Sequence, residues 1–474
     1  MRTLCDPCHA LDRGLAAIRE QFQIPDSFPE PVLAAAERVA ARKPTGRVDR
    51  TNLPFVTLDP ATSIDLDQAF AIERSGNDLL LRYAIAEVAF FVDDGDPIDA
   101  EAWIRGQTLY LPDGKSSLYP PILSEGVASL LPDQDRPAVV FTVRVATDGE
   151  TSLDGAERAL IRSRAKLAYD SVREQDLPEG FADLSSRIAE ADKRRGAARV
   201  DPPEQEVVAL EDGRYQLSFR PRLVSEDRNA ALSLAANLAI AKALLQHRTG
   251  LFRVMPEPNK RAIKRLRHSA KAFAISWPAD VALSDFEPTL NPNNPAHAAF
   301  MLAIRRATLG AGFEPFRDEV APWHSAVAAP YAQATAPLRR LADRYVIRAT
   351  LAVANGEPVP AIVTDAFEKL PKVMARAEAR ANQISRAAID LAEAVMLHER
   401  VGEIFPAVVT DVDDRGARMQ LRDLPVVARV DADGAVPGDD LNVRLVSADP
   451  IRREVRFERA PSWRSLDRDD RPSA

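Results

Sequence analysis

The chain has 474 residues, 46% of them hydrophobic and 28% charged, with 62 Lys and Arg against 70 Asp and Glu for a net charge of -8. This describes a globular protein of two or three domains and argues against a surface coated in positive charge for bulk nucleic-acid binding, although a local basic channel stays open. Two cysteines exclude a disulfide framework and fit a reducing cytoplasm; there is no apolar run of about 18 residues to span a membrane, and the first residues lack the apolar core of a signal peptide.

In chain order, residues 10–43 have Ala, Leu, Ile and Val at helical spacing, interrupted by Pro25, Pro29 and Pro31. Residues 52–58, 79–92, 136–147 and 157–164 are strand-like. From about 165 to 400 helix dominates, and Leu232 to Leu245 is apolar enough to be a buried helix. From 403 to 459, short Val-rich segments alternate with turn signals at Asp413-Asp414-Arg415-Gly416, Asp433-Gly434 and Pro437-Gly438-Asp439. About five strands in under sixty residues predict a small β-barrel of the OB-fold kind. The polar residues 461–474 are expected to be a disordered tail. The expected architecture is α+β: a helical lead over 1–45, a mixed sheet with helices over 46–400, and an OB-fold barrel over 401–460.

The segment with the most chemistry is Phe55-Val-Thr-Leu-Asp59-Pro-Ala-Thr-Ser-Ile-Asp65-Leu-Asp67-Gln68. In extended backbone Asp65 and Asp67 project to one side, and Pro60 and Ser63 favour a turn that returns Asp59 towards them. Three converging carboxylates suit a hard divalent cation that keeps some of its waters; a solvated acidic loop is the alternative reading of the spacing.

The segment resembles the signature of the ribonuclease II family (the RNB domain), Asp-Pro followed by Asp-x-Asp-Asp. Tyr83-Ala-Ile-Ala-Glu87-Val resembles the family's Val-His-Ile-Ala-Asp-Val, and Arg105-Gly-Gln-Thr-Leu-Tyr110-Leu-Pro its Arg-Gly-Thr-Ser-Val-Tyr-Leu-Pro. Leu123-Ser124-Glu125 with Ser129-Leu130 resembles Leu-Ser-Asn with Cys-Ser-Leu, and Ala165-Lys-Leu-Ala-Tyr169 resembles Ala-Lys-Leu-Thr-Tyr. Tyr331 with Thr335-Ala-Pro-Leu-Arg339-Arg340 resembles Tyr-x-x-x-Thr-Ser-Pro-Ile-Arg-Arg. The blocks run in order from about residue 50 to 400, and the family also ends in an OB-fold.

The resemblance implies an RNB catalytic domain that hydrolyses single-stranded RNA processively from the 3′ end with Mg²⁺ or Mn²⁺. Asp59, Asp65, Asp67 and Gln68 occupy the metal-ligand positions, with Asp67 the one on which family activity most depends. Arg339 matches an arginine that grips the scissile phosphate, and Tyr110 an aromatic that stacks on a base near the 3′ end. Arg105, Tyr331 and Arg340 complete the expected RNA-binding set. The expected partner is single-stranded RNA, with no membrane and no small-molecule cofactor, and the expected form is a cytoplasmic monomer.

The chain departs from the pattern in several places. Gln68 replaces the fourth aspartate, Glu87 an Asp, Gln333 a His or similar group, and Ala336 a Ser. The family's glutamates before Ala235-Ala236-Asn237 are missing, with Glu226 and Asp227 as nearby substitutes, and Gln383 falls near a supporting glutamate. N-terminal cold-shock-type domains are not expected, which makes this a short form. The alternative is a catalytically weak or inactive RNB-type RNA-binding protein.

Other features have plainer readings. Cys5-Asp-Pro-Cys8-His9 matches a haem-attachment pattern but needs export, and zinc would need more ligands, so a frayed terminus is expected. The basic stretch Asn259–His268 reads as a solvated helix face more readily than an RNA surface, and Asp93-Asp94-Gly95-Asp96 reads as a turn. The barrel has only Phe405 and Phe457 as aromatics, so it is expected either to clamp RNA through Arg415, Arg418, Arg422 or Arg429 or to serve structurally.

Overall fold

The computed structural model describes residues 2–3, 9–197, 204–210, 214–220, 222–291, 294–307, 310–413, 416–431 and 434–460. Cys5, Cys8, Arg415 and the tail 461–474 lie outside them.

The lead forms two helices, Ala10–Gln21 and Glu30–Ala40. Pro31 sits in the first turn of the second, where its missing N–H costs no helical bond. A six-stranded mixed sheet follows, in the order Val48–Asp49, Thr151–Ala168, Phe55–Asp59, Gln68–Ser75, Asp78–Ala86, Asp135–Val145. Strand Thr151–Ala168 pairs antiparallel with Asp135–Val145 along its first part and parallel with Phe55–Asp59 along its last, which curls the sheet around Phe55, Phe70, Tyr83 and Phe141. Helix Val224–Gln246 packs against the sheet with Leu232, Ala235, Ala236, Ala239, Ile240 and Leu244 buried.

Two expectations need correction. The strand expected over 79–92 stops at Ala86, and a helical turn follows at Val88–Phe91. The partner strand presents Pro137 there, so Glu87 donates to its carbonyl (3.2 Å) but the ladder has no N–H with which to continue. The region from 165 to 400 is mainly helical but also holds short antiparallel pairs, Glu204–Ala209 with Tyr215–Arg220 and Leu251–Val254 with Gly312–Pro315. Within Asn259–His268, Arg267 lies over the Trp277 ring (4.1 Å) and donates to three carbonyls, so this arginine is used inside the fold. Asp93–Asp96 is a turn, and Asp96 caps the helix Pro97–Arg105 through Asp99 N (2.7 Å). Among the described residues no helix is long and apolar enough to cross a membrane.

The last 37-residue helix, Ala361–Leu397, leads to a closed five-stranded barrel built of Ile404–Asp413, Gly416–Leu421, Val427–Asp431, Asp440–Asp449 and Glu454–Arg459. Phe405 and Phe457 meet edge-on inside it with centroids 6.2 Å apart and are buried, so neither offers a ring to a base.

Glu393 joins three units. It is 2% exposed, and one oxygen accepts from Gln205 Nε2 (2.6 Å) in the small hairpin and from Val427 N (2.8 Å) in the barrel. Burial pushes its carboxyl up to about 7, while those two donors pull the other way. A carboxyl held higher in the folded than in the unfolded state contributes stability that is complete below about pH 4.5 and lost as pH rises through about 7. Glu393→Gln keeps the acceptor and removes the charge. Its melting temperature is expected to exceed that of the wild type by several degrees at pH 8, with the gap shrinking at pH 5. Calorimetric melts at the two pH values check this, and an equal gap at both would reject it.

Candidate active site

Asp59 ends its strand beside Ala168. The turn that follows is closed by Ser63 N donating to Pro60 O (3.0 Å). Ser129 then fixes the loop: its hydroxyl accepts from Leu66 N (2.8 Å) and donates to Ile64 O (2.7 Å), while Leu130 N donates to Leu66 O (3.0 Å). Asp67 is thereby pointed inward just before strand Gln68–Ser75 begins, and is 5% exposed.

Asp67 Oδ1 accepts from Leu338 N (2.6 Å), and Oδ2 lies 3.5 Å from Arg339 Nε. The loop bearing Arg339 is clamped on several sides. Ala334 N donates to Asn237 Oδ1 (3.0 Å), Ala336 N to the buried Asp343 (2.8 Å), Leu341 N to Gly106 O (3.0 Å) and Thr108 N to Arg339 O (3.0 Å). Gly106 has φ +73°, and a Cβ there would stand 2.8 Å from that of Ala377, so this approach requires glycine. The Arg339 side chain is about half exposed (49%) and, among the described residues, has Asp67 as its carboxylate neighbour within ion-pair reach.

Burial raises Asp67 to about 8, against the opposing pull of Arg339 and the Leu338 amide. Burial also raises Asp59 to about 6; Arg339 opposes this and the charge of Asp65 adds to it. Asp59 Oδ2 is buried with no hydrogen-bond partner. A buried Asp67 and a partly buried Asp59 with one bare oxygen, both short of positive charge, fit a hard cation.

Full convergence of three carboxylates is not found. Among the described residues, no three His, Cys, Asp or Glu side chains are placed to hold one ion. Asp65 instead meets Lys115, whose Nζ lies 3.0 Å from Asp65 Oδ2 and 3.0 Å from Glu125 Oε1. The oxygen of Gln68 accepts from Tyr83 OH (2.6 Å), which leaves one lone pair for a cation.

Tyr110 lies on the hairpin Leu109–Leu111/Gly114–Ser116 and is 54% exposed. The pKa of its hydroxyl is raised by loss of hydration and then by Asp65 and Asp67, opposed by Arg339 and Arg340. Arg339 and Asp65 thus act on both Asp59 and Asp67, Tyr110 feels the charges of Asp65, Asp67 and Arg339, and Gln68 adjoins Asp67 in the chain.

The remaining expected residues are placed differently. Arg105 is buried and donates to Glu101, Ser116, Ser117 O and Ser27 O while lying over Phe28 (3.8 Å). A guanidinium so committed has little left for a phosphate, and it ties the hairpin to the lead and to its own helix. Arg340 is bidentate to Asp343 (3.0 and 2.8 Å) and so props the loop. Tyr331 OH accepts from Asn237 Nδ2 (3.2 Å) behind that loop. Glu226 caps its helix at Leu223 N (2.8 Å) and pairs with Arg220, and Asp227 pairs with Arg222 (3.2 Å). Glu87 is buried between Arg47 and Arg158.

Sequence reasoning missed Lys115, Tyr83 and the clamping role of Asn237. Only the first had a local signal: Pro112-Asp113-Gly114 is a hairpin turn that sets Lys115 opposite Tyr110.

The RNB domain model matches residues 47–356, and the model of the RNase II-type exonuclease C-terminal S1 domain matches residues 403–460. Ribonuclease R of Mycoplasma pneumoniae is 28% identical over 411 residues, 79% of this chain and 55% of that protein. Ribonuclease R of Escherichia coli is 26% identical over 452 residues, 88% of this chain and 55% of that protein. The chain thus spans about half the length of these relatives. Among solved structures, Mycoplasma genitalium RNase R in complex with ribose-methylated single-stranded RNA superposes with a TM-score of 0.85 at 21% identity, covering 95% of this chain and 78% of that one. With the RNB model covering well over half of its residues, the chain belongs to the RNB-domain family.

Proposed function

We propose that the chain is a cytoplasmic 3′→5′ exoribonuclease that hydrolyses single-stranded RNA with Mg²⁺ or Mn²⁺. The observation that carries this reading is the pairing of a buried, under-compensated Asp67 with a half-exposed Arg339 whose backbone is clamped on several sides. Asp59 and Asp67 would hold the cation, with Gln68 as a neutral third donor. Such an ion, when bound, lowers the pKa of water and stabilises the leaving oxygen.

The chain's own groups do the rest. The exposed ring of Tyr110 offers a face to the terminal base, a contact indifferent to sequence. Arg339 presents donors to the non-bridging phosphate oxygens and strengthens as charge grows on them. The amide of Leu338 holds Asp67 in one rotamer so that its second oxygen stays directed to the centre.

Three outcomes are expected. A 5′-labelled adenosine oligomer shortens in a ladder from its 3′ end with wild type and Mg²⁺, whereas Asp67→Asn and Arg339→Ala are slowed by roughly 10²-fold or more. Gln68 favours a second reading, RNA binding without cleavage, and equal inactivity of wild type and Asp67→Asn with retained RNA binding would establish that reading instead.

Gln68→Asp restores a charged ligand and is expected to lower the Mg²⁺ needed for half-maximal rate severalfold. An unchanged titration would remove Gln68 from the ligand set.

Asp67 also gives a stability signature. Its folded pKa of about 8 lies above the ordinary 3.8, so its contribution is complete below about pH 4 and lost as pH rises through 8. Metal-free Asp67→Asn is therefore expected to melt a few degrees above metal-free wild type at pH 8.5. Mn²⁺ is expected to raise the melting temperature of wild type and leave the variant nearly unmoved. The reverse ranking in metal-free buffer would contradict the burial argument.

A further inference from the structure

Lys115 is the residue at the centre that the ribonuclease reading leaves without a task. It stands in register with Tyr110 across the hairpin, so the stacking ring and the ammonium are carried on one small rigid unit. Its Nζ is shared evenly between Asp65 and Glu125, at 3.0 Å from each, and all three side chains are largely buried: 21%, 13% and 22% exposed. Glu125 comes from a separate element, the single π-helical turn Ile122–Val127. A lysine stem is flexible, and an isolated exposed pair would hold it weakly. Two carboxylates from different parts of the chain, both shielded from water, fix it in place.

The pairing has a consequence for the other two aspartates. The charge of Asp65 acts on both Asp59 and Asp67, raising each. Its carboxylate is turned to the lysine. A second divalent ion seated on Asp65 and Glu125 would have to displace the ammonium that both carboxylates hold.

We propose that Lys115 is a built-in cation of the centre: it occupies Asp65 and Glu125 in place of a second divalent ion, so that the chain loads one ion, on Asp59 and Asp67. This rests on the reading of those aspartates as metal ligands. Two carboxylates and an amide oxygen leave an octahedral ion open positions for water and RNA oxygens. The ammonium neutralises Asp65 without exchanging with solvent metal, so Asp65 stays compensated whether or not the ion is loaded.

The test counts Mn²⁺ on the whole chain without RNA, by electron paramagnetic resonance of the free ion. Wild type is expected to bind one Mn²⁺ per chain. Lys115→Met is expected to bind two, with the first tightened roughly tenfold or more by loss of the nearby positive charge. Lys115→Arg is expected to keep the count at one, and Lys115→Met/Glu125→Gln to return it to one. Two ions on the wild type would overturn the proposal without need of any variant. So would a folded Lys115→Met, judged by circular dichroism, with the wild-type count and affinity. Asp67→Asn separates this inference from the reading beneath it. If Asp67→Asn binds Mn²⁺ like wild type, the aspartate reading falls and this inference with it; if it loses the ion while Lys115→Met matches wild type, only the role of Lys115 falls.

Discussion

The carboxylate of Asp67 is where distant parts of the chain meet around a charge that none of them fully satisfies. Its own backbone carbonyl accepts from Ala86 N (2.9 Å), which ties it to the central sheet. Its side chain accepts from Leu338 N, 271 residues later, and faces Arg339. One amide and one cation at 3.5 Å do not replace the water that an ionised carboxylate loses on burial, which is why its pKa rises to about 8. A fold that holds such a group in place spends stability on it, and other contacts must supply the difference.

Those contacts fix backbone rather than the reactive side chains. The side chain of Arg339 is half exposed, but its carbonyl is bonded to Thr108 and the residues on either side are bonded to Asn237, Asp343 and Gly106. Arg340, its neighbour in sequence, faces the other way and grips Asp343, which in turn holds Ala336. Two adjacent arginines thus divide the work, the first offering charge to the centre and the second anchoring the loop. The same division appears at the hairpin, where Arg105 is locked beneath Ser116 and Ser117 while Tyr110 stands exposed.

How much of this was legible depended on the sequence distance over which each feature is decided. The paired lead helices follow from their own periodicity and from Pro29 and Pro31, and the barrel from its turn residues. Asp59 and Asp67, eight positions apart with a turn between them, were visible as parts of one acidic motif. Strand Gln68–Ser75 was hidden because its first residues read as the tail of the acidic motif, and the end of the strand at Ala86 was set by Pro137 on another strand. The fate of Arg105 depended on Ser27 and Phe28, more than seventy residues away, and the use of Asn237 on a loop 97 residues downstream. Side-chain type announced each of these as polar or charged, but only packing decided whether the charge met solvent, substrate or the chain's own carbonyls.

Charge at the centre is also rearranged rather than simply reduced. Gln68 removes a negative charge at the position where the resembling family has its fourth aspartate, and the amide oxygen turns to Tyr83. Glu125, at the position of that family's asparagine, adds a negative charge back on the far side of Asp65, with Lys115 between them. The two departures make sense together. A fourth carboxylate at 68 would have added to the charge of Asp65, which together with the larger effect of burial already raises Asp59 and Asp67. Moved to 125, the same charge falls beside an ammonium and becomes part of a closed pair. Beside the buried Asp67, position 68 then carries a neutral amide whose oxygen is held by Tyr83.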